Sequence, residues 1–486
     1  MRPSGQLTVN GANSLRAFVS METNEIRSAD QANRVYPFLV AMVAAVGGFL
    51  FGFDLSIVSG AAIFLRKQYD LDAEALGFAV SCALLGCMLG PILVALGIGD
   101  RFGRKKILIL MALLFGISAV GTALARNMFE FNLFRIVGGV GVGVASIVSP
   151  MYIAEIAPAR IRGRLVIVNQ LAIVIGALCS AVIAYLLTPE LSSLDPTVCW
   201  RWMFASECPP VLVLLVGLLF IPESPRWLVE QGRAEEALAI LTRVDGAVNA
   251  RGELEEISSA IAKEAGSFAE LFKSGLRLAL FCAVMLAMLQ QFTGASPILF
   301  YAPIVFQKAG YEAASDAILQ SAILLGWNLF CTVMAFWLVE RLGRRPLLLL
   351  GCLGMALGLA SLGLCFHLNI RGLPILLSLF FGIGAYNLSI APLAWLIMSE
   401  IFPTRVRSKA MAIASLALWV AAYAGAQSFP VLIDMMETRY GSPAGTFWLY
   451  AVVCVFAVFF GWCIVPETKG KTLEAIGRSW TQIPED

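Results

Sequence analysis

Nine stretches of between 19 and 30 consecutive residues carry no Asp, Glu, Lys or Arg: 75–99, 107–125, 165–188, 278–307, 317–339, 346–370, 372–399, 410–433 and 441–465. About 20 apolar residues cross a bilayer core as a helix, whereas a crossing strand needs only about ten. In hydrocarbon every backbone N–H and C=O must find its partner inside the protein, so runs of this length form spanning helices. Three more runs have the same character but hold ionisable groups: 36–65 with Asp54, 128–153 with Glu130 and Arg135, and 202–221 with Glu207. The expected fold is an all-α membrane protein with twelve transmembrane helices.

Composition closes the other classes. Only 14 % of residues are charged and 59 % are hydrophobic, against about a quarter charged in soluble domains. A net charge of +2 leaves no footprint for nucleic acid. Eleven cysteines include no CxxC pair, and His367 is the only histidine; no metal site and no cofactor are expected. No nucleophile paired with a base is visible, so an enzyme is not expected either. Residues 1–35 are polar and lack an apolar core before the first run, which reads as a cytoplasmic tail rather than a cleaved signal.

An internal repeat organises the chain. Asp100-Arg101-Phe102-Gly103-Arg104-Lys105 returns as Glu340-Arg341-Leu342-Gly343-Arg344-Arg345, 240 residues later. Glu155 with Arg162 returns as Glu400 with Arg407 at an offset of 245, and Pro222-Glu223 returns as Pro466-Glu467 at 244. Two six-helix bundles in parallel duplication follow, 36–222 and 276–466. They are joined by a helical linker at 223–275 and flanked by tails at 1–35 and 467–486. Loops on the side of these basic clusters hold thirteen Lys and Arg against seven opposite, which puts that side, the linker and both termini in the cytoplasm.

Five motifs lie in order across both halves: Gly47-Gly48-Phe49-Leu50-Phe51-Gly52-Phe53-Asp54, Gly138-Gly139-Val140-Gly141-Val142-Gly143, Pro222-Glu223-Ser224-Pro225-Arg226-Trp227-Leu228, Gln290-Gln291-Phe292-Thr293-Gly294 and Pro466-Glu467-Thr468-Lys469-Gly470. From about residue 36 to residue 475 the chain resembles the sugar porter family of the major facilitator superfamily. The resemblance implies alternating access around a site between the halves, in the inner membrane. It also implies a proton-coupled role for an aspartate at the position of Asp54.

The residues support that implication independently. Asp54 lies roughly 27 Å along its helix from Tyr36, and Arg135 and Glu207 enter their helices to a similar depth. Charges buried in a membrane pair with one another and usually serve transport. Sugar hydroxyls both donate and accept, so a sugar site wants amides and aromatic faces. Gln170, Gln290 and Gln291 supply amides, Ser296 a hydroxyl, and Phe51, Tyr301, Tyr386, Trp395 and Trp419 aromatic surface. Where the family's xylose carriers have amides, this chain has Ala177, Ser296 and Leu418, so the sugar itself is left open.

A cytoplasmic gate is expected from Asp100, Arg101, Arg104, Glu155 and Arg162, with Glu340, Arg341, Arg344, Arg345, Glu400 and Arg407. Pairs among them would hold the inner faces together in the outward-open form and break in the inward-open one. The expected partners are a small sugar, a proton and the bilayer, with the protein a monomer. A hexose or pentose symporter, an uncoupled sugar facilitator and a polyol or deoxy-sugar carrier all fit. A transporter-like sensor fits less well, because the linker and tail hold no signalling domain.

Overall fold

A computed structural model describes residues 9–263, 268–272 and 276–469, and all regular structure among them is helical. The outer parts of the expected tails (1–8 and 470–486) and the linker pieces 264–267 and 273–275 lie outside the described residues. Twelve helices have the length and apolarity to cross a membrane: Val35–Tyr69, Ala73–Ala95, Arg104–Leu124, Met128–Ile156, Arg162–Leu186, Pro196–Phe220, Leu276–Phe300, Ala314–Leu342, Arg344–His367, Leu373–Glu400, Val406–Tyr440 and Ala444–Cys463. They are spans 1 to 12 below. Span 1 continues backward as helical backbone to Val9, where the sequence suggests only a polar tail.

Outward side chains are large and apolar. Leu212, Leu219, Phe220, Val452, Phe459 and Trp462 are each more than 60 % exposed. Acyl chains are as apolar as leucine, so these surfaces lose nothing by facing lipid and provide no drive for helices to associate. Association comes instead from close backbone approach. A Cβ on Gly139 would lie 1.8 Å from the Ala83 carbonyl oxygen, and one on Gly86 would lie 2.1 Å from that of Ile136, so spans 4 and 2 touch backbone to backbone. Spans 1 and 5 do the same, at 1.8 Å for Gly52 against Ile173 and 2.0 Å for Gly176 against Phe49. Because the obstacle is backbone, Gly139→Ala should cost about 3 kcal/mol, the upper end of ordinary overpacking. Thermal unfolding in detergent measures this, and an unchanged midpoint would mean that the helices part freely.

Three spans are broken near prolines. In span 6, Pro209 and Pro210 cannot continue the helix ending at Ala205, and a new helix starts at Cys208 with Glu207 at its head. Span 7 breaks between Phe292 and Ala295, where Gly294 has φ +90°, and again at Tyr301 before Pro303. Span 10 breaks at Ser389, one turn before Pro392. The sequence also suggests Gly384 as a weak point there. Its helix is continuous, however, and the missing side chain makes room for the Trp327 indole, 2.7 Å from where a Cβ would stand.

The linker forms a short helix, Pro225–Glu230, then Ala234–Lys263 bent at Gly246. It is tied to the loop between spans 4 and 5 by Arg160–Asp245 at 3.4 Å and Arg162–Glu253 at 2.7 Å. The two halves close on each other at the end remote from the linker. There the Ser81 hydroxyl donates to Gln427 (2.8 Å), the Gln427 amide donates to the Glu74 carbonyl (3.1 Å), and the Ser59 hydroxyl donates to the Leu299 carbonyl (3.2 Å). At the linker end a cavity of about 640 Å³ lies between Glu155 and Arg162 on one side and Ser408, Lys409 and Ala412 on the other. The molecule is shut at the far end and hollow at the linker end.

Candidate functional site

The three ionisable groups expected to meet do meet. Arg135 on span 4 donates through Nη1 to Asp54 Oδ1 at 2.5 Å and through Nη2 to the Asp54 carbonyl at 3.0 Å, with its guanidinium over the Phe204 ring. Both side chains are fully buried. The broken backbone of span 6 brings the carboxyl of Glu207, also fully buried, within hydrogen-bonding reach of Asp54. Neither Glu207 oxygen nor Asp54 Oδ2 receives a bond from any nitrogen or hydroxyl. Two carboxyls against one guanidinium leave an excess negative charge that a buried apolar chamber does not tolerate.

A second polar region lies between the halves. A cavity of about 130 Å³ is lined by Ser56, Ser59, Gly60, Ala177 and Ala181 from spans 1 and 5. Spans 7 and 8 close it with Ser296, Phe300, Ser321, Leu325 and Asn328. Phe51 of span 1 and Trp419 of span 11 pack ring against ring across the halves, centroids 5.9 Å apart. Gln290 is buried; its amide nitrogen donates to the Ala391 carbonyl at 2.7 Å, beside the break in span 10. The Gln290 carbonyl oxygen and the Trp419 indole N–H are both buried without a partner, one an acceptor and the other a donor. Gln291 is buried beside Gln290, Trp395 is half-buried and Gln170 stands exposed on span 5.

One expected aromatic site residue is committed elsewhere. Tyr301 is buried in the far-end closure, its hydroxyl donating to the Ala426 carbonyl at 2.9 Å with the Gly77 carbonyl 3.4 Å away. Its ring stacks on Phe429. With that hydroxyl occupied, Tyr301 seals the closure and does not face a ligand in this conformation. Tyr386 is buried within span 10. Ser56, Ser59, Ser321 and Asn328 were not singled out from sequence. The signal was a polar side chain inside a charge-free run, which alone does not say which way it points.

At the linker end the repeat turns out to be one device built twice. Arg104 forks onto Glu155 (Nε 3.1 Å, Nη2 3.1 Å), and Glu155 also accepts from the Ser224 hydroxyl at 2.5 Å. Arg344 forks onto Glu400 (3.3 and 3.0 Å), which accepts from the Thr468 hydroxyl at 2.5 Å. Glu223 accepts from the backbone N–H of Arg104 and Lys105, as Glu467 does from Arg344 and Arg345, capping the start of spans 3 and 9. Gly103 and Gly343, at φ +88° and +90°, leave room for those carboxylates. Partial burial works against the Glu467 carboxylate, but backbone donors from Lys469, Arg345, Arg344 and Thr468 outweigh it and hold its pKa below the usual glutamate value. Burial pushes Glu230 and Glu253, around the linker-end cavity, the other way.

These pairs lie within each half, and they are made although the linker end is hollow. The expected latch between halves, breaking on inward opening, does not describe them. Arg162 binds the linker through Glu253, and Arg407 reaches the Phe402 carbonyl. Asp100 is a mostly exposed partner of Arg104. Arg101 and Arg341 lie over Phe102 and Trp337, Arg345 donates to the Trp462 carbonyl, and Glu340 is exposed. Glu155→Gln should therefore cost about 2–3 kcal/mol of stability, the worth of a buried charge-assisted hydrogen bond. Glu400→Gln should cost less, because its pair is about one-fifth exposed. Thermal unfolding compares the two, and a spin-label distance across the linker end should stay unchanged in both.

Comparison with known proteins places the chain in a family. Residues 40–480 match the family described as sugar (and other) transporter. The D-xylose-proton symporter of Escherichia coli strain K12 is 40 % identical, covering 93 % of this chain and 97 % of the relative. The arabinose-proton symporter of Bacillus subtilis strain 168 is 35 % identical over 92 % and 95 %. A solved inward-open structure of the xylose transporter from E. coli superposes with a TM-score of 0.80 at 38 % identity, over 92 % of this chain and all of that one.

Proposed function

This chain belongs to the sugar transporter family, and on that premise we propose that it carries a monosaccharide and a proton together across the cytoplasmic membrane by alternating access. It acts as a monomer with both termini and the linker in the cytoplasm. The far-end closure is then the periplasmic gate, and the conformation described above faces inward. It is not an enzyme.

One observation carries the coupling: Asp54 holds the buried Arg135 guanidinium, while the carboxyl of Glu207 is buried alongside with neither oxygen bonded. Protonated, the cluster is neutral and can be carried through a closed state. When rearrangement lets water reach the carboxyls, the ionised form is solvated and the proton leaves. The sugar lies between the halves, with hydroxyls on the Gln290 carbonyl and the Trp419 indole and the ring against Phe51 and Trp419. Gln170, Gln291, Ser296, Trp395 and Asn328 complete its surroundings. Because Asp54 and Phe51 share span 1 within one turn, filling the sugar site constrains the helix that holds the proton.

The apolar stretch of the cavity wall, Ala177, Ala181, Phe300 and Leu325, favours a sugar with an apolar edge, such as a deoxy sugar. A panel of monosaccharides added to proteoliposomes loaded with a pH indicator tests both points. At least one sugar should carry protons inward with it. Sugar uptake with no pH change for any sugar would leave an uncoupled facilitator.

A further inference from the structure

A groove of about 360 Å³ lies between spans 7, 11 and 12, on the other side of span 7 from the cavity between the halves. Its floor is Gly425 and Ser428 with Phe292, and its rims are Leu432, Leu449 and Phe456. Leu449 and Phe456 are nearly half exposed. All three spans are membrane-crossing by length and composition, so the groove opens into hydrocarbon.

Span 11 relates this groove to a charge. Gly425, Ser428, Leu432 and Arg439 follow one another at steps of three, four and seven residues, which keeps them on one helix face. Arg439 therefore stands in line above the groove, roughly 10 Å beyond Leu432 along the axis. It is exposed beside Tyr440, whose ring it overhangs at 5.9 Å, an arrangement suited to the membrane–water interface. The neighbouring acidic groups on span 11 do not pair with it. Glu437 holds Lys308 at 2.6 Å, and Asp434 lines the pocket between the halves. Arg439 makes no ion pair among the described residues.

We propose that this face is a seat for one phospholipid, with its phosphodiester on Arg439 and one acyl chain running down the groove. A guanidinium at headgroup height above an apolar channel matches the two chemistries of that molecule in order and direction. The groove also backs onto the break of span 7: Phe292 ends its first helix, and a Cβ on Gly294 would strike the ring of Tyr450, another groove residue. A seated acyl chain thus packs against that break.

The test is photolabelling of the full chain in phosphatidylcholine vesicles that contain phosphatidylglycerol with a diazirine on one acyl chain, mapped by peptide mass spectrometry. Label should concentrate on spans 7, 11 and 12 around the groove. Arg439→Gln should lower it about fivefold at the same lipid dose, the worth of one basic residue at a membrane surface. Ser428→Phe, which fills the groove, should abolish it there. Label spread evenly over lipid-facing helices, undiminished by Arg439→Gln or persisting at the groove in Ser428→Phe, overturns the proposal. So does exclusion of label together with a dimer in native mass spectrometry, which would assign the groove to a second copy.

Discussion

Asp54→Asn abolishes uphill accumulation of sugar while leaving sugar binding and downhill exchange in place. The expectation follows from charge counting in the span 1, 4 and 6 chamber. With Asp54, Arg135 and Glu207 all fully buried, the native cluster needs one proton to be neutral. The asparagine variant is already neutral, because Arg135 balances Glu207 without any proton. The chamber keeps its shape and a partner for Arg135, so the fold survives, but no proton has to travel with the sugar. The loss is large, since a membrane potential of 100 mV supplies about 2.3 kcal/mol per charge, enough to concentrate a neutral sugar roughly fifty-fold. Labelled-sugar uptake in proteoliposomes under an imposed potential measures the first half, and counterflow exchange measures the second. Continued accumulation against a gradient in the variant would remove Asp54 from the coupling mechanism.

That cluster shows how far the sequence could be read. Depth along three helices placed Asp54, Arg135 and Glu207 at one level, because helical rise is constant and charge-free flanks locate the membrane. Sequence did not show that Glu207 heads a second helix in span 6. The cause, Pro209-Pro210, was visible, but the direction in which a broken helix turns depends on its neighbours. The repeat was legible as a repeat, yet its purpose came from coordinates. Glu223 and Glu467 cap spans 3 and 9, and Ser224 and Thr468 bind Glu155 and Glu400. Charges that recur at matching positions suggest pairing without saying whether the pair lies within a half or between halves, and the latch expectation failed at that point. Tyr301 was misassigned for a similar reason. An aromatic residue just past a glutamine pair can face a ligand or a gate, and only the carbonyls of Gly77 and Ala426, from spans 2 and 11, decide between them.

Introducing amides at Ala177, Ser296 and Leu418 should tighten binding of fully hydroxylated sugars. Ala177 and Ser296 line the cavity between the halves, and Leu418 is buried immediately before Trp419. On the proposed pose, hydroxyls directed at Ala177 and Leu418 would be stripped of water and receive nothing in return, so hexoses and pentoses should bind below their potential. A sugar lacking a hydroxyl at those points loses nothing, because no protein group waits there unpaired. Each restored hydrogen bond is worth about 0.5–1.5 kcal/mol net. The triple variant Ala177→Gln, Ser296→Asn and Leu418→Gln should then bind xylose or glucose between about tenfold and a thousandfold more tightly. Ser296 already carries a hydroxyl at its point of the wall, so the gain should be smallest from Ser296→Asn and largest from the other two. Binding of a deoxy sugar should weaken in the same variant, since the new amides lose water without gaining a hydroxyl. Calorimetry on both purified proteins, with thermal unfolding to establish that the variant is folded, measures each arm. Tight xylose or glucose binding by the unmodified protein with no gain in a folded triple variant would mean that Ser56, Ser59, Ser321 and Asn328 already meet those hydroxyls, and that Ala177 and Leu418 do not set the choice of sugar.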